Sequence, residues 1–484
     1  MEDTTDHNKD QKVPLPEERT SVTEHELQVN DLRLEYVATT GMMHIRNKEE
    51  KKSAGIFYIA YTLKDTDPIN RPITFCFNGG PGSCSVWLHL GAFGPKRIDM
   101  VDGETPKPNH SRLVDNEYTL LTETDLVFID PVGTGYSRSG EEGTDEDFFN
   151  VEGDAESLTQ FIRQYISKNH RWVSPKFLAG ESYGTTRSAL MAKLLEQNGV
   201  SLNGLILVSL AVNFQTFIAG LGNDLPYMLF LPTFTAVAWH QGKLDPTLAS
   251  DRDTLLQEVR NWSMNEYAAA LLKGSRVTED ERQRIAEKLS MYTGLDIEDI
   301  KNLKLRIADM RFSKTVLKRP GYTVGRMDGR YISSDLDSDH RRTQIDPSIN
   351  APRGPYTSIV NDYLARTLEF SSEHDYKILD SNTNQSWKWE RKDHFGYPNT
   401  APDLREAMIR NPHLKVLFAN GIFDLATPFF AAEYTADHLD LPSEISSNID
   451  FTYYDAGHMM YFHRPSHAKL TKDIFEFMHK SIVT

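Results

Sequence analysis

The sequence predicts an α/β fold, a central, mostly parallel sheet with helices on both faces and a largely helical cap inserted over it. Three observations carry this. Short, continuously apolar runs recur, as strands buried on both faces require. Helix-length amphipathic segments alternate with them. That alternation breaks at about residue 212 and resumes at about 403. The chain has 484 residues, enough for one large core with an insertion. Residues 1–20 are polar, carry Pro14 and Pro16, and are expected to form a disordered tail. Residues 21–211 then form the first part of the core, 212–402 the cap insertion and 403–484 the second part of the core.

From Ser21 the chain is strand-like. Leu32, Leu34, Tyr36 and Val37 lead into Gly41, and Ile56 to Tyr61 are rich in β-formers, predicting an antiparallel meander that opens the sheet. Ile73–Phe77 and Leu126–Ile129 are continuously apolar and predict central strands. Leu158, Phe161, Ile162, Tyr165 and Ile166 recur at helical spacing. Phe177–Ala179 ends a strand, Thr185–Gln197 reads as a helix closed by Gly199, and Gly204–Val208 is a further strand. In the insertion, Thr254–Leu272 and Thr278–Tyr292 predict helices stopped by Gly274 and Gly294, and residues 319–356 read as a polar loop. The core resumes with a helix at Leu404–Ile409, strands at Leu414–Ala419 and Phe451–Tyr454, and an amphipathic helix ending near Lys480.

Composition excludes several classes. A formal net charge of −16 argues against a nucleic-acid partner, which usually meets a basic face. The longest apolar run, Leu225 to Trp239, is broken by Pro226 and Pro232, so no membrane span is expected. The first residues, Met1-Glu-Asp-Thr, resemble neither a signal nor a transit peptide. The expectation is a cytoplasmic protein, or an exported one from which a signal has been removed. Two cysteines, Cys76 and Cys84, cannot make a disulfide framework and are expected to be buried free thiols. The histidines show no metal spacing, and neither metal nor cofactor is expected.

The chemistry centres on Gly180-Glu-Ser-Tyr-Gly184, which lies between a strand and a helix. Strand, G-x-S-x-G and helix together make a nucleophile elbow. Its glycines are expected to permit the sharp turn that presents Ser182. The helix behind it directs unpaired N–H groups and a positive dipole end at the reaction centre. A serine nucleophile needs a base, and the base needs an orienting acid. In the α/β-hydrolase fold these follow in the order Ser, Asp or Glu, His. The strand ending at Ala419 runs into Asp424, and the strand ending at Tyr454 runs into Gly457-His458, where Gly457 is expected to turn the histidine back toward the serine. All three follow strand carboxyl ends, where open α/β sheets place their sites. Asn78-Gly-Gly-Pro-Gly82 directly follows another strand and reads as an oxyanion loop, with the Gly80 and Tyr183 N–H groups as donors. It carries neither G-K-[ST] nor G-x-G-x-x-G, which excludes a phosphate cradle.

Taken in order, Asn78–Gly82, Gly94-Pro95, Asp130-Pro-Val-Gly-Thr-Gly-Tyr-Ser137, Gly180–Gly184 and Gly457-His458-Met459 resemble the signatures of the serine carboxypeptidase family. The resemblance spans the core on both sides of the insertion. It implies an α/β-hydrolase that removes the C-terminal residue of a peptide substrate through an acyl-enzyme on Ser182, with Asp424 and His458 completing the triad. It also implies that Asn78, Gly79 and Glu181 bind the substrate's terminal carboxylate. Burial and nearby negative charge raise a carboxyl's pKa, so a protonated Glu181 can donate to that carboxylate, which favours acidic pH. The expected partner is a peptide substrate, and self-association as a homodimer stays open.

The sequence also departs from the family. Cys76 replaces a tryptophan, and Ala92 replaces a second glutamate that shares a proton with the elbow glutamate. In Ser83-Cys84-Ser85 the cysteine is moved by one place. After the elbow, Thr185-Thr186-Arg187 is unusual, and Arg187 reads either as a compensating positive charge or as a solvated helix arginine. Ala92 weakens the case for carboxylate recognition. An esterase or acyltransferase with the same triad therefore stays open, as does a non-catalytic binding protein on the same fold.

Overall fold

The computed structural model describes residues 15, 17–103, 107, 110–140, 142–335, 346–392 and 395–483. Most of the expected tail lies outside the described residues. A ten-stranded sheet runs through the protein. Nine of its strands form one path: β1 (Thr20–Val29), β2 (Leu32–Arg46), β3 (Lys52–Leu63), β4 (Ile73–Phe77), β5 (Asp125–Ile129), β6 (Lys176–Glu181), β7 (Gly204–Val208), β8 (Lys415–Gly421) and β9 (Ile449–Tyr454). Their spatial order is β1-β2-β3-β5-β4-β6-β7-β8-β9, and the two-residue strand Arg138–Ser139 pairs alongside β3. The strands from β5 to β9 are mutually parallel. β1–β3 form the antiparallel meander that the sequence predicts, and β3 joins β5 antiparallel.

Alternate residues of the parallel strands fill two cores. Phe177, Ala179, Ile206, Val208, Leu417 and Ala419 face one side, where Leu470, Ile474 and Phe477 of the final helix cover them. Leu178, Leu205, Leu207, Val416 and Phe418 face the other, under α1 (Val151–Lys168), α2 (Tyr183–Gln197) and α3 (Ala401–Arg410). Each of the larger aliphatic and aromatic side chains contributes about 1.5–3 kcal/mol when fully buried. Strands buried on both faces must be apolar throughout, which is why these runs are legible in the sequence.

Residues 229–324 build a third core. It closes on Ile422, Phe423, Leu425 and Phe429–Ala431, the segment after β8. Two elements here differ from expectation. Residues 252–273 are helical, but a π-helical turn at Ser263–Tyr267 interrupts the expected single helix. Pro347–Asp362 is a helix that begins inside the stretch read as a loop and runs past its end at residue 356. Asp346 caps it by accepting from Ser348 N–H at 3.0 Å, and Pro347 suits a first helical turn. Pro352 and Pro355 should break it, at about 3 kcal/mol each. Tyr356 and Val360, buried against the main core, override that penalty. Pro226 and Pro232 likewise start helices, Leu225–Leu229 and Leu231–His240. Among the described residues no helix is long and apolar enough to cross a membrane.

Candidate active site

Sheet register positions the site. Phe77 lies beside Gly180, Val208 beside Glu181 and Ala419, and Gly421 beside Tyr454. Five strands therefore end within three residues of a common level, and the loops after them emerge side by side, carrying Asn78, Ser182, Ser209, Asp424 and His458.

Ser182 caps α2 with φ +59° and ψ −128°. Neither Gly180 nor Gly184 has a positive φ, so the strain sits on the serine itself and not on its glycines as expected. Such a conformation costs about 1–3 kcal/mol and must be held by its surroundings. Ser182 N–H donates to Val208 O at 2.9 Å, and its carbonyl accepts from Thr185 N–H and the Thr185 hydroxyl at 2.8 and 2.7 Å. The helix begins at Tyr183, two residues earlier than its sequence suggests, so Tyr183 N–H is the first of its unpaired donors. Gly79 lies directly on it: a methyl at Gly79 would fall 2.4 Å from Tyr183 N. Only glycine lets the oxyanion loop and the helix start form one surface.

Asp424 is fully buried and accepts four hydrogen bonds. His458 Nδ1 lies 2.6 Å from Oδ2 and the Thr427 hydroxyl 2.7 Å from it, while Ala426 and Thr427 N–H reach Oδ1 at 2.8 and 3.0 Å. With Nδ1 engaged, Nε2 is the nitrogen left to take a proton. Burial alone would lower the His458 pKa, but the charge and hydrogen bond of Asp424, with help from Glu181, outweigh it, and the net shift is upward. The His458 backbone is pinned on both sides. Its N–H donates to Met327 O at 2.6 Å, and its carbonyl accepts from the Ser209 hydroxyl at 2.7 Å. Gly457 has no positive φ; a methyl there would meet Met327 O at 2.3 Å. Its purpose is thus to admit the 327–328 segment, not to make the expected turn. Among the described residues the hydrogen bonds of His458 are these, together with a 3.3 Å contact to Thr427, and do not include one from the Ser182 hydroxyl. Nucleophile–base contacts are commonly long before substrate binds.

Glu181 and Asn78 are buried beside the elbow. Burial raises the Glu181 pKa; His458, Tyr461 and Asn78 oppose the shift, Asp424 adds to it, and the result is about 7. Asn78 Oδ1 accepts from Leu88 N–H at 3.0 Å, which fixes the amide. Arg187 is neither solvated nor a compensating charge. It is buried, donating from Nε to Asp154 Oδ2 at 2.7 Å and from Nη1 to Asn78 O at 2.6 Å. Burial keeps the Asp154 carboxyl above its ordinary pKa even with this guanidinium beside it. Cys76 and Cys84 are buried free thiols. Asp130 of the 130–137 loop accepts from Ser85 N–H and the Tyr376 hydroxyl, both at 2.8 Å, so that motif braces the segment after the oxyanion loop.

Sequence reasoning missed Met327, Asp328 and Asp154, which reach the site from other elements, and Thr427 and Tyr461, which follow Asp424 and His458 on their own loops but carry no local motif. The larger surface concavities, one beside Pro347–Asp362 and one along residues 220–306, are lined by none of the triad residues. The site is recognised by its converging loops.

The model of the family described as serine carboxypeptidase matches residues 35–448. Serine carboxypeptidase-like 36 of Arabidopsis thaliana is 24% identical over 78% of this chain and 67% of its own length. Serine carboxypeptidase-like 46 of the same plant is 30% identical over 41% of this chain and 39% of its own length. In that relative and six further serine carboxypeptidase-like proteins of the same plant the match spans less than half of their length. Among solved structures, Kex1(delta)p, a prohormone-processing carboxypeptidase from Saccharomyces cerevisiae, superposes with a TM-score of 0.59 over 91% of each chain at 17% identity. That likeness is one of fold, an α/β-hydrolase.

Proposed function

This chain belongs to the serine carboxypeptidase family, and from that premise we propose that it is a serine-type carboxypeptidase acting on the C-terminal bond of peptides. Ser182 Oγ attacks the scissile carbonyl and gives its proton to His458 Nε2. The oxyanion is held by the N–H groups of Gly80 and Tyr183. His458 returns the proton to the leaving nitrogen, the C–N bond breaks, and the C-terminal residue departs. Water then attacks the acyl-enzyme, again through His458, and restores Ser182. Asp424 fixes the imidazole tautomer and stabilises its charged form. Asn78, Gly79 and Glu181 receive the terminal carboxylate.

The observation that carries this reading is the buried, fourfold-bonded Asp424 holding His458 on a loop level with the strained Ser182. The test compares N-blocked peptides as free acids and as C-terminal amides, with wild type and Ser182→Ala. The free acid should be favoured at least about tenfold, the worth of one charged hydrogen bond. Ser182→Ala should lose about 10³-fold or more of kcat. One observation favours a second reading: Ala92 brings no carboxyl to the carboxylate site. If amide or ester serves as well as free acid, an esterase or acyltransferase is the better description. A Ser182 that no fluorophosphonate labels points instead to a binding protein.

A further inference from the structure

Among the buried polar atoms without a hydrogen-bond partner in the described residues are Glu181 Oε2, Asn78 Nδ2 and the Tyr461 hydroxyl. Unpaired buried polar atoms are uncommon in folded proteins, and each calls for a reason. These three are not scattered. Glu181 interacts with both Tyr461 and Asn78, and Tyr461 with both Glu181 and Asn78, yet no pair closes into hydrogen-bond geometry. Each residue is 3% exposed or less. Because Asn78 Oδ1 is taken by Leu88 N–H, Nδ2 is the end left for the group. Tyr461 comes from the short turn after His458, and its ring is wedged against Gly91, where a methyl would lie 2.7 Å from Cε2. The neighbouring Ala92 contributes no donor from its side chain. Its carbonyl is occupied by His467 Nε2 and Asn116 Nδ2, both at 2.8 Å.

We propose that the Tyr461 hydroxyl is a substrate-binding donor, converging with Asn78 Nδ2 and the Glu181 carboxyl on the terminal carboxylate of the peptide. The assignment rests on the carboxypeptidase reading and deepens it. An incoming carboxylate has lone pairs for all three groups and would satisfy atoms that the protein leaves unpaired. A phenol also differs from a carboxyl in how it titrates. Glu181 is faced by His458, Asp424, Asn78 and Tyr461, and loses its proton near 7. Tyr461 is faced by Glu181, Asn78 and Tyr356, and burial pushes its pKa well above the ordinary tyrosine value. It therefore keeps its O–H where Glu181 has become an anion. Carboxylate recognition through Tyr461 persists at neutral and mildly alkaline pH.

The test is Tyr461→Phe, assayed on an N-blocked peptide as free acid and as amide from about pH 5.5 to about 8.5. The change removes only an oxygen that has no partner, so the melting temperature should hold. The expected result is a rise in KM for the free acid of about tenfold or more, with kcat nearly unchanged and the amide unaffected. The defect should be largest above neutral pH. Equal effects on acid and amide, or none on the acid, overturn the assignment while leaving the carboxypeptidase reading intact. A wild type that does not favour the free acid overturns both. Should Tyr461→Phe fail to fold, Glu181→Gln decides. A free-acid preference that stays level across that pH range supports Tyr461, and one that falls with rising pH overturns it.

Discussion

Glu181 and Ser182 are adjacent in the chain and opposite in environment. Ser182 is half-buried and strained, while Glu181 is sealed in with its carboxyl pushed up to about 7. That shift is also a statement about stability. Between an unfolded value of 4.5 and about 7 the folded state binds the proton more tightly, so stability falls as pH rises through this window. Glu181→Gln removes the effect. It should be more stable than wild type at about pH 8, by up to about 3 kcal/mol, and no different at about pH 4.5. Denaturant melts at both pH values check this, and an equal shift at both contradicts it. At this scale the sequence was most legible where a residue follows a strand and sits among glycines. Ser182, Asp424 and His458 announce themselves in that way. Tyr461 and Thr427 sit on the loops of His458 and Asp424 and each adds one hydroxyl, but no local pattern marks them.

The salt bridge between α1 and α2 shows what element-level reading misses. α2 is buried nearly all round, so its sequence has no clean polar face to suggest where Arg187 points. Arg187 spans to Asp154 of α1 and to the carbonyl of Asn78, tying the elbow helix to the oxyanion loop. Removing one partner strands the other charge in the interior. Arg187→Met should cost about 3–5 kcal/mol in urea denaturation, and adding Asp154→Leu should recover most of it. A single variant as stable as wild type would refute the coupling. Strands were the most readable elements, because burial on both faces forces uninterrupted apolar runs. The helix Pro347–Asp362 was not readable, because its two internal prolines argue locally for a loop and only Tyr356 and Val360, packed on a remote core, argue otherwise. The π-helical turn at Ser263–Tyr267 has no signature in the apolar pattern either.

Across the whole molecule, a segment between the third core and the sheet reaches the loop that carries His458. Asp328 Oδ2 accepts from Gly457 N–H at 2.9 Å, and Arg330 clamps Asp328 at 2.7 Å and Asp102 through two bonds at 2.9 and 3.0 Å. Asp328→Ala should leave the fold standing but loosen the His458 loop. The rate of Ser182 labelling by a fluorophosphonate should drop about 10- to 100-fold, the scale of an ångström-level misplacement. Unchanged labelling would show that this tie does not position the base. The overall α/β order was legible because strand and helix alternate along the chain. The spatial order of the strands and the reach of residues 327–330 were not, since contacts between distant segments leave no periodicity behind. The level strand ends also have a consequence for synthesis. In a chain emerging amino terminus first, β4, β6 and β7 can assemble the elbow and its oxyanion loop while β8 and β9 are still unmade, with residues 209–414 between them. Ser182 is thus in place long before Asp424 and His458. On the proposed mechanism, a nascent chain cannot complete its triad until its last strand has docked, so the timing of activity would be written into the order of the strands.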